Sequence, residues 1–274
     1  MAGMTKHIYI REPNPKGRLL RLWQTREAVQ ALVDRQFKAR FEKPAIGLIW
    51  MLIQPAALAV VFAVFFGMLV RVPSADMPYP AFVFIGIALW QSVSRALAES
   101  AIVFDASAPL LRQTSLPRLA PVLANVAGAS LDTLASLVVA MLVALYFGVQ
   151  FGFNLIFLPG FLLLALVATT GLAAALAGIC GAWRDVRQLV PLGLQILMFL
   201  SPVIYPASLL PAKYQMLYAI NPYAGVLEGL RWSLLNGPTP ALGTMLVSIS
   251  SSIVCLLVGV WIFFKLEGRA ADAL

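Results

Sequence analysis

The sequence predicts an all-α integral membrane protein. It comprises an N-terminal amphipathic interfacial helix, six transmembrane helices, and two short re-entrant or interfacial helices between spans five and six. Three observations predict this. The 274 residues are 61% hydrophobic and only 12% charged, with a mean hydropathy of +0.86, whereas soluble domains carry roughly 25% charged residues. Uncharged apolar stretches recur at the ~20-residue length that crosses a hydrocarbon layer. Lysine and arginine collect on alternate connections, the bias that orients membrane proteins.

The first element is residues 1–44, read as a cytoplasmic segment ahead of a membrane domain at 45–274. Ten of the twenty Lys and Arg fall in residues 1–43. A net charge of +8 could suit nucleic acid, but no RNA or DNA motif surrounds these residues, so they read as a flank beside anionic lipid. MAGMTKHIYIREPNPKGRLL has no apolar core before its first charges, so no cleavable signal is expected. From Arg18 to Phe41, helical spacing gathers Leu19, Leu22, Trp23, Val29, Leu32, Val33, Phe37 and Phe41 on one half of a helix. Glu27, Asp34, Arg35 and Lys38 fall on the other half. The pattern predicts a helix lying on the membrane through Leu22, Trp23, Val29, Val33 and Phe37; a soluble helix packed on a partner protein is the alternative.

Six spans follow: Ala45–Val70, Pro80–Phe104, Leu119–Phe147, Leu155–Ala182, Gln188–Tyr205 and Ala241–Lys265. With the N-terminus inside, Arg112, Arg118, Arg184, Arg187, Lys265 and Arg269 join the ten N-terminal charges on the cytoplasmic side. Arg71, Lys213 and Arg231 fall outside, and Arg95 lies within a span. Both ends of the chain are then cytoplasmic. GAWRDVRQ reads as a tight cytoplasmic turn, and the apolar run after it as the fifth span, stopped by Pro202 and Pro206. The pieces up to Pro240 are ~10–15 residues, too short to span. They predict two short helices in or along the outer leaflet, with Tyr214, Tyr218, Tyr223 and Trp232 at headgroup level.

Charges inside spans are costly and therefore informative. Arg95 and Glu99 near the inner end of span two, and Asp132 in span three, either line a channel or pair between helices at matching depth. Arg184, Asp185 and Arg187 are a solvated turn or a gate at the cytoplasmic mouth. Glu228 and Arg231, at i and i+3, form a local pair or belong to an outer gate, with Tyr223 nearby. Gly171, Ala174, Ala175 and Gly178 permit close helix approach, within the chain or between copies. Cys180 and Cys255 read as small buried hydrophobes, and the single His7 sits in a polar tail. No metal site or catalytic residue is indicated, and no GxxxxGK[ST] phosphate loop occurs, so the chain is expected not to be an enzyme that hydrolyses ATP.

Three stretches carry a family resemblance: RFEKPAIGLIWMLIQP (Arg40–Pro55), APLLRQTSLPRLAPVLANV (Ala108–Val126), and the opening of span five together with NPYAGVLEGLRWSLLNG (Asn221–Gly237). In order and spacing, with the basic tail KLEGRAADAL, they resemble the membrane subunits of ABC-2-type polysaccharide exporters, which move O-antigen, capsular polysaccharide or teichoic acid. The resemblance implies a half-transporter of the bacterial inner membrane that forms a channel as a homodimer. It would dock two copies of an ABC ATPase holding the ATP and Mg, and carry a polyprenyl-diphosphate-linked glycan. No nucleic acid is implied. Residues 105–121 then become the expected ATPase contact: a short helix Pro109–Ser115 between Pro109 and Pro117, with Leu110, Leu111 and Leu116 as apolar anchors and Arg112 and Arg118 as orienting charges. Alternatives are an ABC-2-type permease for a small drug or lipid, and a membrane-embedded enzyme of lipid-linked glycan metabolism. The latter needs convergent acids or histidines, which the loops lack. An ion-driven carrier would suggest related halves, and none is visible.

Overall fold

The computed structural model describes residues 27, 29–34, 46–113 and 116–272. Among them every regular element is helical and no strand occurs, as lipid demands of a backbone that must satisfy its own polar groups. Residues 29–34 are helical, with Val29, Leu32 and Val33 half-buried while Gln30, Ala31 and Asp34 are exposed. That is the i, i+3, i+4 spacing of a one-sided helix. Leu22, Trp23 and Phe37 lie outside the described residues.

The elements are α1 (Ile46–Phe62), continued by a π-helical stretch Ala63–Leu69; α2 (Tyr79–Ala101); a single turn Val103–Ala106; α3 (Ala108–Gln113); α4 (Ala120–Tyr146); α5 (Leu158–Ala182), entered through a 3-10 turn Phe153–Phe157; α6 (Val190–Phe199), entered through a 3-10 turn Arg184–Leu189; α7 (Ala212–Tyr218); α8 (Pro222–Leu235); and α9 (Leu242–Asp272). Pro80, Pro121, Pro159, Pro191 and Pro222 each stand at the start of a helix. Their missing N–H has no intrahelical partner there in any case. These prolines therefore start their helices rather than interrupt them, whereas Pro55 lies inside α1.

Among the described residues, four helices have the length and composition to cross a membrane: Tyr79–Ala101, Ala120–Tyr146, Phe153–Ala182 and Leu242–Arg269. The expected first span is present as α1 and its π extension, with a shorter apolar part, Ile53–Leu69, qualifying only by composition. The expected fifth span, Gln188–Tyr205, holds only ten residues of α-helix, about 15 Å at 1.5 Å per residue. Pro202 and Pro206 cannot donate to a helical ladder, and the chain from Leu200 to Pro206 runs as turns and bends. The last helix runs through Asp272, seven residues past the expected end at Lys265.

Helix α2 is the centre of the bundle, buried on most of its surface from Tyr79 to Ala101 and packed against α1, α4, α5 and α8. The most extensive packing joins α5 to α9. A Cβ added to Gly259 would stand 1.9 Å from the Gly171 carbonyl oxygen, and one on Gly171 would stand 2.4 Å from that of Cys255. One on Gly178 would meet the Phe263 Cα at 2.9 Å. The small residues of span four are thus spent within the chain, letting two backbones touch. The Cys255 thiol faces the Ala168 carbonyl at 3.7 Å, and Cys180 is buried.

The two ends of the bundle are marked by side-chain bonds. At one, Phe104 stacks on Phe263, Arg118 donates to the Glu267 carbonyl, and Asp105 meets Arg187. At the other, Asn236 donates to the Gln150 carbonyl. The basic connections assigned to one side by charge do fall at one end.

Candidate transport and coupling sites

At the basic end, α3 forms nearly where a short helix was expected, over Ala108–Gln113. Leu111 packs on the protein's own core and Leu110 is half-buried, so part of the apolar side of α3 is taken up within the chain. Leu116, Pro117 and Arg118 are also half-buried. The exposed positions are Pro109, Arg112 and Gln113, with Ile102, Asp105 and Ala106 in the preceding turn.

The turn before α6 is more than a solvated corner. Arg187 forms an ion pair with Asp105, and Arg184 approaches the same carboxylate at 4.0 Å. Arg187 also donates from Nε to the Cys180 carbonyl at 3.1 Å, fixing its direction. Asp185 stays exposed. Asp105, the partner of both arginines, was not singled out from sequence. The signal available was a lone acid in a basic, otherwise apolar connection.

Within the bundle, Arg95 pairs with Asp132 at 2.5 Å, the carboxylate side chain being 6% exposed. Arg95 is six residues from the end of α2 and Asp132 twelve residues into α4, so their depths are unequal. The long arginine side chain closes the difference. A charge that would be expensive alone is neutralised by its neighbour. Glu99 is half-buried one turn away.

At the opposite end, Arg231 is 2% exposed and spends its donors on backbone. Nη1 bonds the Pro202 carbonyl and Nη2 the Val203 carbonyl, both at 2.7 Å, while Nε reaches the Phe82 carbonyl at 3.3 Å. Its guanidinium lies 3.4 Å over the Phe82 ring, a cation–π contact. The proline-broken segment Leu200–Pro206 leaves carbonyls that no helix satisfies, and a planar five-donor fork suits that task. Tyr79 takes the next carbonyl, Ile204, at 2.9 Å. A Cβ on Gly86 would fall 2.1 Å from the Val203 oxygen, so glycine is what lets the segment reach α2. Of the two roles open to Glu228 and Arg231 from their i, i+3 spacing, a direct local ion pair is not made, since the Arg231 donors go to backbone carbonyls. Glu228 is half-buried beside a cavity of about 190 Å³ that it shares with Gln215, Tyr218 and Thr239.

Helix α8 is not at headgroup level throughout. Asn221 caps its start through Tyr223 N, and Asn236, at φ 52°, ends it. Tyr223 is 1% exposed, bonded to Thr169 at 3.0 Å and edge-on to Trp90. Those partners stand eleven residues past Leu158 and Tyr79, about 16 Å along their helices. The start of α8 is therefore deep in the bundle and its end, at Asn236, is beside Gln150. Gly225 and Gly229 permit this: an added Cβ would strike Ser248 Oγ at 2.5 Å and the Phe161 ring at 2.1 Å. Trp232 packs on Phe157 at 5.2 Å, Tyr218 bonds Tyr205 at 2.9 Å, and only Tyr214 is largely exposed among the expected aromatics.

Among the described residues the chain is thus a helical, membrane-type bundle with a cationic end, a paired charge in its interior and a deeply inserted α8 opposite. The profile of the ABC-2 type transporter family matches residues 27–235, and the chain belongs to that family. It is 24% identical over 246 residues to the O-antigen export system permease protein RfbA of Klebsiella pneumoniae, covering 89% of this chain and 93% of that one. Similarity to the protein of the same name from Myxococcus xanthus is 25% over 264 residues, 94% and 99% of the two chains. The polysialic acid transport protein KpsM of Escherichia coli is 24% identical over 212 residues, 76% and 81%.

Proposed function

We propose that the chain is the permease subunit of an ATP-driven exporter carrying a lipid-linked polysaccharide, such as an O-antigen, across a bacterial inner membrane. Two copies form the channel and two separate ATPase subunits drive it. The observation that carries this reading is the near end-to-end alignment with O-antigen export permeases from two organisms, up to 99% of the relative's length.

Six crossings are part of the proposal. Helix α1 with its π extension runs without a break from Ile46 to Leu69. The 3-10 turn and α6 together give sixteen helical residues, Arg184–Phe199. With basic connections at one end of the bundle, that end and both termini are cytoplasmic. The α7–α8 hairpin then enters from the outside, reaches the level of Thr169 and Trp90, and returns, a re-entrant form tolerated where protein surrounds it. The Arg95–Asp132 pair holds α2 to α4 rather than lining the channel, since Asp132 is buried.

The ATPase contact is the exposed side of the Ile102–Gln113 connection, with Pro109 and Arg112 outermost and Leu111 holding the helix to the bundle. Permease purified in mild detergent from its own membranes should bring down an ATPase, and Pro109→Asp with Arg112→Glu should release that ATPase while the permease stays folded. Recovery of the wild-type chain with no ATP-hydrolysing partner would contradict the reading.

A further inference from the structure

The element that behaves least like its neighbours is the helical run Arg184–Phe199. Both of its ends are gripped by side chains. At the cytoplasmic end Asp105 holds Arg187 and Arg184. At the other end, the segment that follows α6 is bonded by Arg231 and Tyr79, as described. Asn221 adds bonds to the Leu200 carbonyl at 3.1 Å and Ser201 Oγ at 2.8 Å. Tyr205 turns back to the Phe199 carbonyl at 2.7 Å and onto Tyr218.

Between the grips the run is held on one side only, where Val190 is buried and Leu194, Leu197 and Met198 rest on the core. Leu192, Ile196 and Phe199 are about half exposed on one side. On the side facing α2 and α5 lies an apolar cavity of about 250 Å³, bordered by Leu97, Leu172, Leu176, Val190, Leu194 and Leu197. A Cβ on Gly193 would meet nothing within 4 Å. Close-packed interiors transmit and resist displacement together; here the ends are fixed to other elements while the flank has room. The α5–α9 pair, locked through Gly171 and Gly259, is the stationary counterpart.

We infer that Arg184–Phe199 is a strut that transmits movement of the Ile102–Gln113 connection to the outer hairpin. Displacement at Asp105 pulls Arg187, the stiff helical run carries it about 25 Å, and the Leu200–Pro206 segment passes it to Arg231 and Asn221 on the hairpin. Asp105 and Arg187 are then positioning residues for transport: they touch neither ATP nor glycan, and they set the hairpin through the strut. The mechanical link stands on the geometry alone, and its use in export rests on the function proposed above.

Hydrogen exchange read by mass spectrometry on the full-length permease in nanodiscs tests the strut directly. Asp105→Asn, at a half-exposed site, should speed exchange at residues 200–206 and at the start of α8 by about five-fold or more, the low end of ordinary coupling between sites. Exchange in α5 and α9 should not change. Coupling is reciprocal, so Tyr205→Phe at the outer end should speed exchange at residues 184–189. Softening the run with Leu192→Gly and Gln195→Gly, both grips intact, should abolish each remote effect. Remote effects that persist in the softened protein, or lesions whose effects stay at their own end, would overturn the strut. In the assembled transporter the softened variant should hydrolyse ATP yet export less glycan per ATP. Normal export per ATP would also overturn it. Intact exchange coupling in a protein that exports no glycan would leave the strut standing and remove the exporter reading instead.

Discussion

Removing Arg231 is the perturbation whose cost the structure makes most calculable. Arg231→Met keeps an apolar stem of similar reach and deletes the fork. Three hydrogen bonds from a charged donor are lost, to Phe82, Pro202 and Val203, together with the contact over the Phe82 ring. The Phe82 carbonyl lies in the first turn of α2 and keeps its helical partner. The Pro202 and Val203 carbonyls have no substitute, and an orphaned buried acceptor costs about 1–3 kcal/mol. Two of them, with ~1 kcal/mol for the cation–π contact, give a loss of roughly 3–7 kcal/mol. Relief from holding a charge in the interior offsets part of this, leaving about 4 kcal/mol. At about 2–4 °C per kcal/mol for a chain of this size, the apparent Tm of detergent-purified protein should fall by roughly 10 °C. Arg231→Lys keeps the charge but can fill only part of the fork geometry, so it should fall in between. A Tm within about 2 °C of wild type for Arg231→Met would refute the reasoning that this guanidinium pins the Leu200–Pro206 segment.

For the intramembrane pair, Arg95→Leu and Asp132→Leu should each lower folded yield on size-exclusion, and the double change should recover part of it; additive losses would mean the 2.5 Å contact carries no coupling. Gly259→Leu should abolish folded protein, because any side chain there meets the Gly171 backbone, whereas Gly193→Ala should match or slightly exceed wild-type stability since nothing stands near it. Cysteines placed at Ser74 and Thr239 should react with an impermeant maleimide from outside intact inner membranes while one at Ser115 should not; outside labelling of Ser115 would reverse the orientation.

Much of the fold was legible because lipid simplifies the code. Apolar runs of span length favour helices, which satisfy their own backbone in lipid, and α2, α4 and α5 begin and end within three residues of the expected positions. The α-helix of the expected fifth span is short although the sequence stays apolar through Tyr205: Pro202 and Pro206 mark where the run cannot continue as a helix, but hydropathy does not show that the helix already stops at Phe199. Tyr223 was misplaced for a related reason. A tyrosine beside proline reads as an interfacial residue, and only tertiary contact with Thr169 and Trp90 turns it inward. The pairing of Arg95 with Asp132 could be anticipated, since each would be costly alone. The anchoring role of Arg231 could not, because its partners are backbone carbonyls at Phe82, Pro202 and Val203, far along the chain, and carry no side-chain signature. Leu111 shows the same limit from the other side: an amphipathic turn looks identical whether it covers its own bundle or a partner.

The central claim, that this chain exports a lipid-linked polysaccharide, is tested most directly by following that glycan in cells depleted of the chain. The account expects surface polysaccharide to disappear while lipid-linked glycan accumulates on the cytoplasmic face of the inner membrane. Wild-type permease should restore export, and permease carrying Pro109→Asp with Arg112→Glu should not. Surface polysaccharide at wild-type level in the depleted cells, with no lipid-linked glycan retained inside, would contradict it.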